Sequence, residues 1–469
     1  MSIQAIASSH VLLEHKLSPA TILYSTISGK IIHIFHGEVL SSLSDKRLQA
    51  YAVTSVNDVS PNAILPGLVD THVHLNDPGR THWEGFESGT KSAISGGVTT
   101  VVDMPLNSTP PTSTVKNLNL KIDASKGNIW CDVALWGALV PENTDDLIPL
   151  VNAGVRGFKG FLCHSGIEEY RRIDRDYIIN AMDILKGSNV KMLFHAELTE
   201  EDNQAVEDNT QDPTKYATFL NSRPDELETN GIAMVIDCLR GVKDSNPSFG
   251  AHIVHLASAM PLDLIRSAKR DNLPLTVETC FHYLTLDSEQ IPDSAPQYKC
   301  CPPIRSKTNR LKLWDALRDN IITSVVSDHS PCVPELKHID TGDYMKAWGG
   351  ISSVGLNLPL MWTTGSNLEK PITIPELVTW CCENTAKQVG LNHIKGYIAV
   401  GYDADFVIFD PELPYTYKDV NAYFKNKLTP YNESVFDGMV RSTILRGKVV
   451  YTAEDGTSQM SSGSLLLNV

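Results

Sequence analysis

The sequence lacks the features of membrane proteins, secreted disulfide-rich proteins and nucleic-acid-binding proteins. No apolar run approaches the roughly 18 residues that cross a bilayer. The N-terminal stretch MSIQAIASSHVLLEHKL mixes polar residues into its apolar ones, unlike a signal peptide. The nine cysteines form no C-x-x-C pair, so we expect reduced thiols and a cytoplasmic location. With 40 Lys and Arg against 55 Asp and Glu, the net charge of -15 argues against a nucleic-acid partner.

What the 469-residue sequence does contain is a regular alternation of strands and helices. Alternation of this kind favours parallel pairing, and eight units match an α/β fold of the (β/α)8 TIM-barrel type. A doubly wound open sheet is the alternative, but it needs a Gly-rich phosphate loop after an early strand. The first predicted strand here ends in His-x-His instead. The predicted strands are ILPGLVDTHVHL, GVTTVVDMP, IWCDVALWGAL, VRGFKGFL, VKMLFHAEL, AHIVHLAS, PLTVETCFHYL and ITSVVSDHSP.

Both ends of the chain are rich in further strands. ATILYSTISGKIIHIFHGEVL near the start, and IAVGYDADFVIFDP and MVRSTILRGKVVYT near the end, predict one small β domain beside the barrel. Between the barrel and the C-terminal strands, TIPELVTWCCENTAKQVGL predicts a helix. Thr373 and Glu376 have the spacing of a capping box, and Gly390 stands where the helix is expected to end.

Two histidines stand one residue apart at the end of the first predicted strand. His72 and His74 occupy positions i and i+2, so their side chains point the same way. An isolated pair is more often found on the solvated side of an edge strand, but this is also the geometry that a metal ion needs. Other predicted strands carry similar residues near their C-terminal ends, where the active sites of such barrels lie. These residues are Lys159, His195, His255 (with His252 three residues earlier) and Asp328.

Lys159 is the one cation in this set. A protonated amine would repel a metal ion, and burial favours the neutral form of a lysine by lowering its pKa. A neutral amine can add carbon dioxide to form a carbamate, an anion whose two oxygens can bridge two metal ions. The alternative is a lysine paired with a carboxylate, although no acidic residue is adjacent in this strand.

The chemistry of the set points to a hydrolase. Histidine and oxygen ligands without thiolate suit zinc, with manganese or cobalt as alternatives. Two such ions would acidify a bridging water and polarise a carbonyl group. Asp328 would take a proton from the water and return it to the leaving nitrogen. The set therefore predicts hydrolysis of an amide.

These motifs resemble the metal-dependent amidohydrolase superfamily, in the branch of cyclic amidohydrolases that holds dihydroorotases, hydantoinases and allantoinases. The likeness covers essentially the whole chain, including GYDADFVIFD. It implies a barrel at 63–394, a small β-sandwich built from 1–62 and 395–469, and a homo-oligomer, either a tetramer or a dimer. It also implies that Asp328 is catalytic and that two divalent ions are held by His72, His74, carboxylated Lys159, His195, His255 and Asp328.

Within this branch, the sequence is similar to the allantoinases. Dihydroorotases carry an arginine two residues after the second histidine to pair with a substrate carboxylate, whereas this chain has Asn76. The stretches DPGRTHWEGF, VVDMPLNSTPPT and KAWGGISSVGL look like allantoinases, while CCPPIR has Cys301 where relatives often have a serine. The resemblance implies hydrolysis of allantoin to allantoate in purine breakdown, with Asn107, Cys301 and Gly350 as substrate contacts.

Several alternatives stay open at the level of sequence. One is a hydantoinase or dihydropyrimidinase, and another is a non-catalytic cytoplasmic assembly protein of the same fold. Assembly proteins of that kind lack one or more of the six ligands, all of which are present here. Asn107 could be a simple turn residue after Pro105. His282, in CFHYL at the end of the seventh predicted strand, is either a core residue or a neighbour of the site.

Overall fold

The computed structural model describes residues 2–199, 211–242 and 250–467. The N-terminal region folds into five strands that belong to one sheet. β1 lies antiparallel to β2, β2 lies antiparallel to β3, and β4 and β5 run parallel to β1. The strands are β1 Ile3–Leu13, β2 Lys16–Ser25, β3 Ile31–His36, β4 Val53–Asp58 and β5 Ala63–Pro66.

The central region is built from parallel strands in two sheets, ordered β6-β7-β8 and β9-β10-β11-β12-β13-β14. A parallel bridge between Val73 and His329 connects the β6 side to the segment after β14, and Trp136 alone separates β8 from β9. Because the strands are parallel, their C-terminal ends lie on the same side. The strands are β6 Leu68–Val73, β7 Val98–Asp103, β8 Asp132–Leu135, β9 Gly137–Ala138, β10 Gly157–Phe161, β11 Lys191–His195, β12 Gly250–Ile253, β13 Leu275–Cys280 and β14 Ser324–Val326.

Helices follow most of these strands, and side-chain caps mark where several of them begin. Thr114, Asp174 and Ser306 each accept a hydrogen bond from a backbone N–H of the first turn. The helices are α1 Lys46–Ala50, α2 Phe86–Ser95, α3 Val115–Ser125, α4 Leu147–Asn152, α5 Arg175–Ile184, α6 Tyr216–Ser222, α7 Asp225–Val242, α8 Leu262–Arg270, α9 Phe281–Thr285, α10 Lys307–Arg318, α11 Asn357–Ser366, α12 Ile374–Val378 and α13 Asn384–Gln388.

The predicted capping box is confirmed. The Thr373 hydroxyl accepts from the Glu376 N–H, and the Glu376 carboxylate accepts from the Thr373 N–H. A π-helical turn at Thr379–Glu383 joins α12 to α13, and Gly390 follows with a left-handed φ of 68°. None of the helices in the described ranges combines the length and the apolar character needed to cross a membrane.

The strands of the C-terminal region complete the N-terminal sheet. β15 pairs with β5 and β18, so the nine-stranded sheet has the order β20-β19-β18-β15-β5-β1-β2-β3, with β4 on β1. The two chain ends therefore share one sheet. The C-terminal strands are β15 Phe406–Asp410, β16 Tyr415–Thr416, β17 Val435–Phe436, β18 Met439–Leu445, β19 Lys448–Thr452 and β20 Gly456–Thr457.

Three of the predicted strands differ from the observed ones. ILPGLVDTHVHL divides at Gly67, where a Cβ would lie 2.1 Å from Thr99 Oγ1, so the chain passes from the terminal sheet into the parallel strands through a glycine. IWCDVALWGAL is interrupted at Trp136, whose indole N–H donates to the Thr71 carbonyl at 2.9 Å. PLTVETCFHYL leaves the strand at Cys280, so His282 lies in the first turn of α9 rather than at a strand end.

A buried ion cluster ties the C-terminal region to the parallel strands. Lys395 Nζ lies 2.6 Å from an Asp132 carboxylate oxygen, 2.7 Å from Asp405 and 3.0 Å from Asp403. Arg446 also pairs with Asp132. Since the ammonium group already occupies the centre of the three carboxylates, this cluster is an ion-pair network rather than a cation site.

Candidate metal centre

The six residues predicted to be ligands lie together beyond the C-terminal ends of the parallel strands. All six line one cavity of about 570 Å³. Each is buried, with no more than 8% of its surface exposed. β6 carries the first histidine and leads directly to the second, β10 and β11 carry the next two residues, and short extensions of β12 and β14 carry the last two. In chain order they are His72, His74, Lys159, His195, His255 and Asp328.

The donor atoms of this cluster converge. Asp328 Oδ1 lies 3.1 Å from His72 Nε2 and 3.4 Å from His74 Nε2. The ring centroids of His72 and His255 are 5.4 Å apart, and those of His195 and His255 are 4.5 Å apart. His255 Nδ1 is buried and has no hydrogen-bond partner among the described residues. A buried nitrogen without a partner, surrounded by imidazole and carboxylate donors, fits a divalent metal ion.

The backbone is strained where two of these residues are presented. His255 has a φ of 40° and Asp328 a φ of 43°, in the left-handed region that residues with a Cβ rarely adopt. Such strain is found at functional sites more often than elsewhere. At both positions the left-handed residue stands just after a buried strand, where the chain turns towards the cavity.

The protonation states also suit metal binding. Burial lowers the pKa of His74 to about 4 and lowers that of His255 strongly, so both rings are neutral near pH 7. Burial by itself would raise the pKa of Asp328, but the attraction of His72 and the contact with His74 lower it below its usual range. His74 and His255 therefore present neutral imidazoles beside an ionised carboxylate.

Lys159 is almost fully buried beside an aromatic ring. Its Nζ is 5.0 Å from the centre of the Phe161 ring, and the side chain forms no ion pair with a carboxylate in the described parts of the chain. Burial lowers its pKa to about 8, although Asp328 and Glu278 act in the opposite direction. The described residues therefore offer no carboxylate partner for Lys159, as the alternative required. The lowered pKa makes the neutral amine easier to form.

Glu278, which the sequence analysis did not single out, holds one of the histidines in place. Its carboxylate accepts from His72 Nδ1 at 2.6 Å and from His252 Nε2 at 2.9 Å. His252 Nδ1 in turn contacts Thr276 Oγ1 at 2.8 Å. Both nitrogens of His252 are thus occupied, which separates it from His255. An acidic residue in the middle of the apolar strand LTVETC was the signal that could have revealed Glu278.

A second missed carboxylate supports His195. Glu197 Oε2 accepts from His195 Nε2 at 2.7 Å, and Arg223 Nε donates to Glu197 Oε1 at 2.9 Å. The Phe161 ring stacks on His195 with centroids 4.6 Å apart. Carboxylates that hold the far nitrogen of a histidine fix the tautomer and the orientation in which the near nitrogen can bind a metal ion.

His282 lies close to this cluster. Its ring is fully buried, and neither of its nitrogens has a hydrogen-bond partner among the described residues. Ligand-type atoms of His282, Cys280 and Asp328 all lie within 4.8 Å of one another. The sequence left open whether His282 is a core residue or a neighbour of the site. The structure shows both, because His282 is buried and lies next to Asp328.

The three predicted substrate contacts line the same cavity. Asn107 has a left-handed φ of 66°, and its amide group lies 3.2 Å from His74 Nδ1. Cys301 and Gly350 also line the cavity. The Gly350 N–H already donates to the Lys299 carbonyl at 2.9 Å. Asn76 does not line the cavity but donates to the Pro331 carbonyl at 3.3 Å.

Comparison with known proteins gives consistent results. The Amidohydrolase family profile matches residues 63–450. Allantoinase of Saccharomyces cerevisiae is 53% identical over 470 residues, covering 100% of this chain and 99% of that protein. Allantoinase of Streptomyces avermitilis is 43% identical over 411 residues, covering 88% of this chain and 89% of that protein. Among solved structures, the L-hydantoinase of Arthrobacter aurescens superposes with a TM-score of 0.89 at 23% identity, covering 100% of both chains.

Proposed function

Because the chain belongs to the amidohydrolase family, we propose that it hydrolyses the five-membered ring of allantoin to give allantoate, the reaction of an allantoinase. One observation carries this proposal. Full-length identity of 53% to an allantoinase of yeast coincides with a cavity on which all six predicted ligand residues converge. The identity supports the substrate, and the cavity supports the chemistry.

The fold that we infer for this function is a (β/α)8 barrel with a small β-sandwich. The Val73–His329 bridge and the near continuity of β8 and β9 support joining the two parallel sheets into one barrel. The boundaries at 62/63 and 394/395 stay a prediction. The hydrogen bonds of Ala63–Pro66 belong to the terminal sheet, so the first of these boundaries falls close to the crossing at Gly67.

The cofactor that fits the site is a pair of divalent metal ions, with zinc favoured and manganese or cobalt as alternatives. When bound, such ions supply Lewis-acid polarisation of a carbonyl group and lower the pKa of water. The residues that would hold them are the six cavity-lining residues His72, His74, Lys159, His195, His255 and Asp328. We propose that Lys159 is carboxylated, because its buried amine forms no ion pair with any carboxylate of the described residues and its pKa is lowered.

The chain's own residues provide proton transfer and orientation. Asp328 accepts a proton from the attacking water and delivers it to the ring nitrogen as the C–N bond breaks and the carboxylate of allantoate forms. The contacts of its Oδ1 with His72 and His74 keep it ionised and aimed into the cavity. Asn107, whose amide can rotate to accept from His74 Nδ1–H, leaves His74 Nε2 free for ligation.

Residues near the cavity favour allantoin over dihydroorotate as the substrate. Asn76 does not line the cavity and donates to a backbone carbonyl, so the carboxylate-binding arginine of dihydroorotases has no counterpart at this position. Allantoin is neutral and rich in amide groups, which suits an amide side chain and backbone groups on the wall. A complete set of six ligands argues against a non-catalytic assembly protein. We also propose that the enzyme works in the cytoplasm as a homo-oligomer, a tetramer or a dimer.

The proposal is tested by assaying the purified, metal-loaded protein on allantoin, hydantoin, dihydrouracil and dihydroorotate. We expect kcat/KM to be highest for allantoin. Faster turnover of hydantoin or dihydrouracil would make the chain a hydantoinase or dihydropyrimidinase. Full metal loading without turnover of any of the four would favour the assembly-protein alternative.

A further inference from the structure

The stretches that distinguish this chain from dihydroorotases and hydantoinases meet around the cavity. Arg80 Nη1 donates to the Asn107 carbonyl at 2.9 Å. The rings of Trp83 and Trp348 pack edge to face with centroids 4.8 Å apart. Residues 299–301 and 348–350, which we call the substrate wall, line the cavity side by side.

Lys337 lies behind the substrate wall and connects its two segments. Its Nζ donates to the Trp348 carbonyl at 2.9 Å, to the Lys299 carbonyl at 3.2 Å and, at shorter range, to the Gly350 carbonyl. The residue is only 4% exposed, and it forms no ion pair with a carboxylate in residues 2–199, 211–242 and 250–467. Three N–H donors of one ammonium group are thus matched by three backbone carbonyls.

The wall segments approach each other too closely for this link to be incidental. A Cβ on Gly349 would lie 2.8 Å from Cys301 Sγ, and a Cβ on Gly350 would lie 2.2 Å from the Ser330 carbonyl oxygen. The Gly350 N–H also donates to the Lys299 carbonyl at 2.9 Å. Glycines permit the approach, and Lys337 satisfies the carbonyls that the approach buries.

We propose that Lys337 is a positioning residue for substrate specificity: it fixes the substrate wall at the spacing that fits the five-membered ring of a cyclic ureide. The inference rests on the proposed function. It requires no contact between Lys337 and the substrate, because the lysine acts through Cys301, Gly349 and Gly350. Without the ammonium group, three buried carbonyls lose a donor, and the wall relaxes outward to reach water.

The consequence is a change in substrate discrimination. A wall that stands farther from the ring holds allantoin less tightly and loses its preference for a five-membered over a six-membered ring. The metal ligands lie on other strands and keep their own supports, Glu278 and Glu197. We therefore expect a change in KM for allantoin and in the ratio of kcat/KM for allantoin to kcat/KM for a six-membered cyclic amide. Metal content and the chemical step should be preserved.

The experiment compares the metal-loaded wild type with Lys337→Met, which keeps the length of the side chain but removes all donors. The matched control is Lys126→Met. Lys126 is a lysine that is 71% exposed, lies 2.7 Å from Asp123 and does not line the cavity, so the variant removes a lysine without touching the substrate wall. KM and kcat for allantoin and dihydrouracil, and metals per chain, are measured for each protein.

For Lys337→Met we expect KM for allantoin to rise about tenfold, the allantoin-to-dihydrouracil ratio of kcat/KM to fall, and metal content to be unchanged. Lys337→Gln, which keeps a donor, should be intermediate, and Lys126→Met should match the wild type. Unchanged KM and ratio in Lys337→Met would overturn the inference. So would an equal effect in Lys126→Met, which would assign the change to the loss of a lysine charge alone.

If Lys337→Met does not fold, Gly349→Ala tests whether the spacing of the wall controls KM. Its added methyl group would clash with Cys301 in the other wall segment and change the spacing between the two segments. The same rise in KM is expected, and an unchanged KM would overturn the inference. Failure of the wild type itself on allantoin would refute the proposed function. The role of Lys337 would then be tested on the cyclic amide that the wild type does hydrolyse. Loss of the wild type's preference between five- and six-membered rings in Lys337→Met would support this role, and an unchanged preference would overturn it.

Discussion

Replacing Glu278 with Gln should weaken metal binding although Glu278 is not itself a predicted ligand. The carboxylate accepts one hydrogen bond from His72 Nδ1 and one from His252 Nε2. An amide offers one oxygen and one NH2 group, so it can accept from only one of the two rings. If the NH2 group faces His72, that ring must place its proton on Nε2, the nitrogen that faces Asp328 and the cavity.

The magnitude follows from the bonds that are lost. A hydrogen bond to a buried charged group contributes about 1.5–3 kcal/mol, which corresponds to roughly 10- to 100-fold in metal affinity, the usual range for residues that support metal ligands. Metal content is measured by mass spectrometry of the elements after dialysis against graded concentrations of a chelator. Allantoin hydrolysis is followed on the same samples.

Glu84→Gln is the matched control, because Glu84 is also fully buried and contacts a histidine, with 3.2 Å between Glu84 Oε2 and His329 Nε2. His329 is not a predicted ligand, so this variant should retain its metal ions. If Glu278→Gln binds metal as tightly as the wild type, then His72 does not depend on its carboxylate partner, and the argument from tautomer control is wrong.

Two further predictions concern Asp328 and Glu228. Asp328→Asn should lower kcat by about a hundredfold or more, because the amide cannot carry the transferred proton, and single-turnover kinetics with added metal would check this; near-normal kcat would remove Asp328 from the proton transfer. Burial raises the pKa of Glu228 to about 7 from an ordinary value of 4.5, despite the nearby Arg305. Between these two pH values the folded state therefore keeps a proton that the unfolded state releases. Relative to Glu228→Gln, the free energy of unfolding should fall by about 3 kcal/mol as the pH rises from about 4.5 to about 7. Parallel stability curves for the two proteins across this range would contradict the assignment.

The parts of the site that could be predicted are those with a local signature. The His-x-His pair at positions 72 and 74 shares one side of a strand, and Lys159 and His195 lie in the observed strands β10 and β11. For these residues the period of a strand and the common direction of parallel strands are sufficient to bring the side chains together.

The supports of the site could not be predicted in the same way. Glu278 is separated from His72 by 206 residues, and Arg223 reaches Glu197 from the loop between α6 and α7. Spacing alone could not choose between His252 and His255, because the choice depends on which ring Glu278 occupies. Lys337 has no sequence signature at all, since its three acceptors are brought together only by the fold.

The strand boundaries failed for a related reason. The sequence predicted a single strand through Gly67 and another through Trp136, because apolar residues flank both positions on each side. The interruptions arise from tertiary contacts, with Thr99 packed against Gly67 and the Thr71 carbonyl bound by the Trp136 indole. The residues of a buried apolar stretch do not show by themselves which of two sheets each half of the stretch will join.

The central claim is that the six cavity residues form a metal centre that hydrolyses allantoin, and its most direct test is metal content together with allantoin turnover in the wild type and in Lys159→Ala. Lys191→Ala is the control, since Lys191 begins β11 and contacts Thr276 Oγ1 at 3.4 Å rather than the cavity. We predict about two metal ions per chain and allantoin turnover in the wild type and in the control, and loss of both in Lys159→Ala. A wild-type protein that binds no metal under any loading condition, or a Lys159→Ala variant that keeps both metal and activity, would contradict the account.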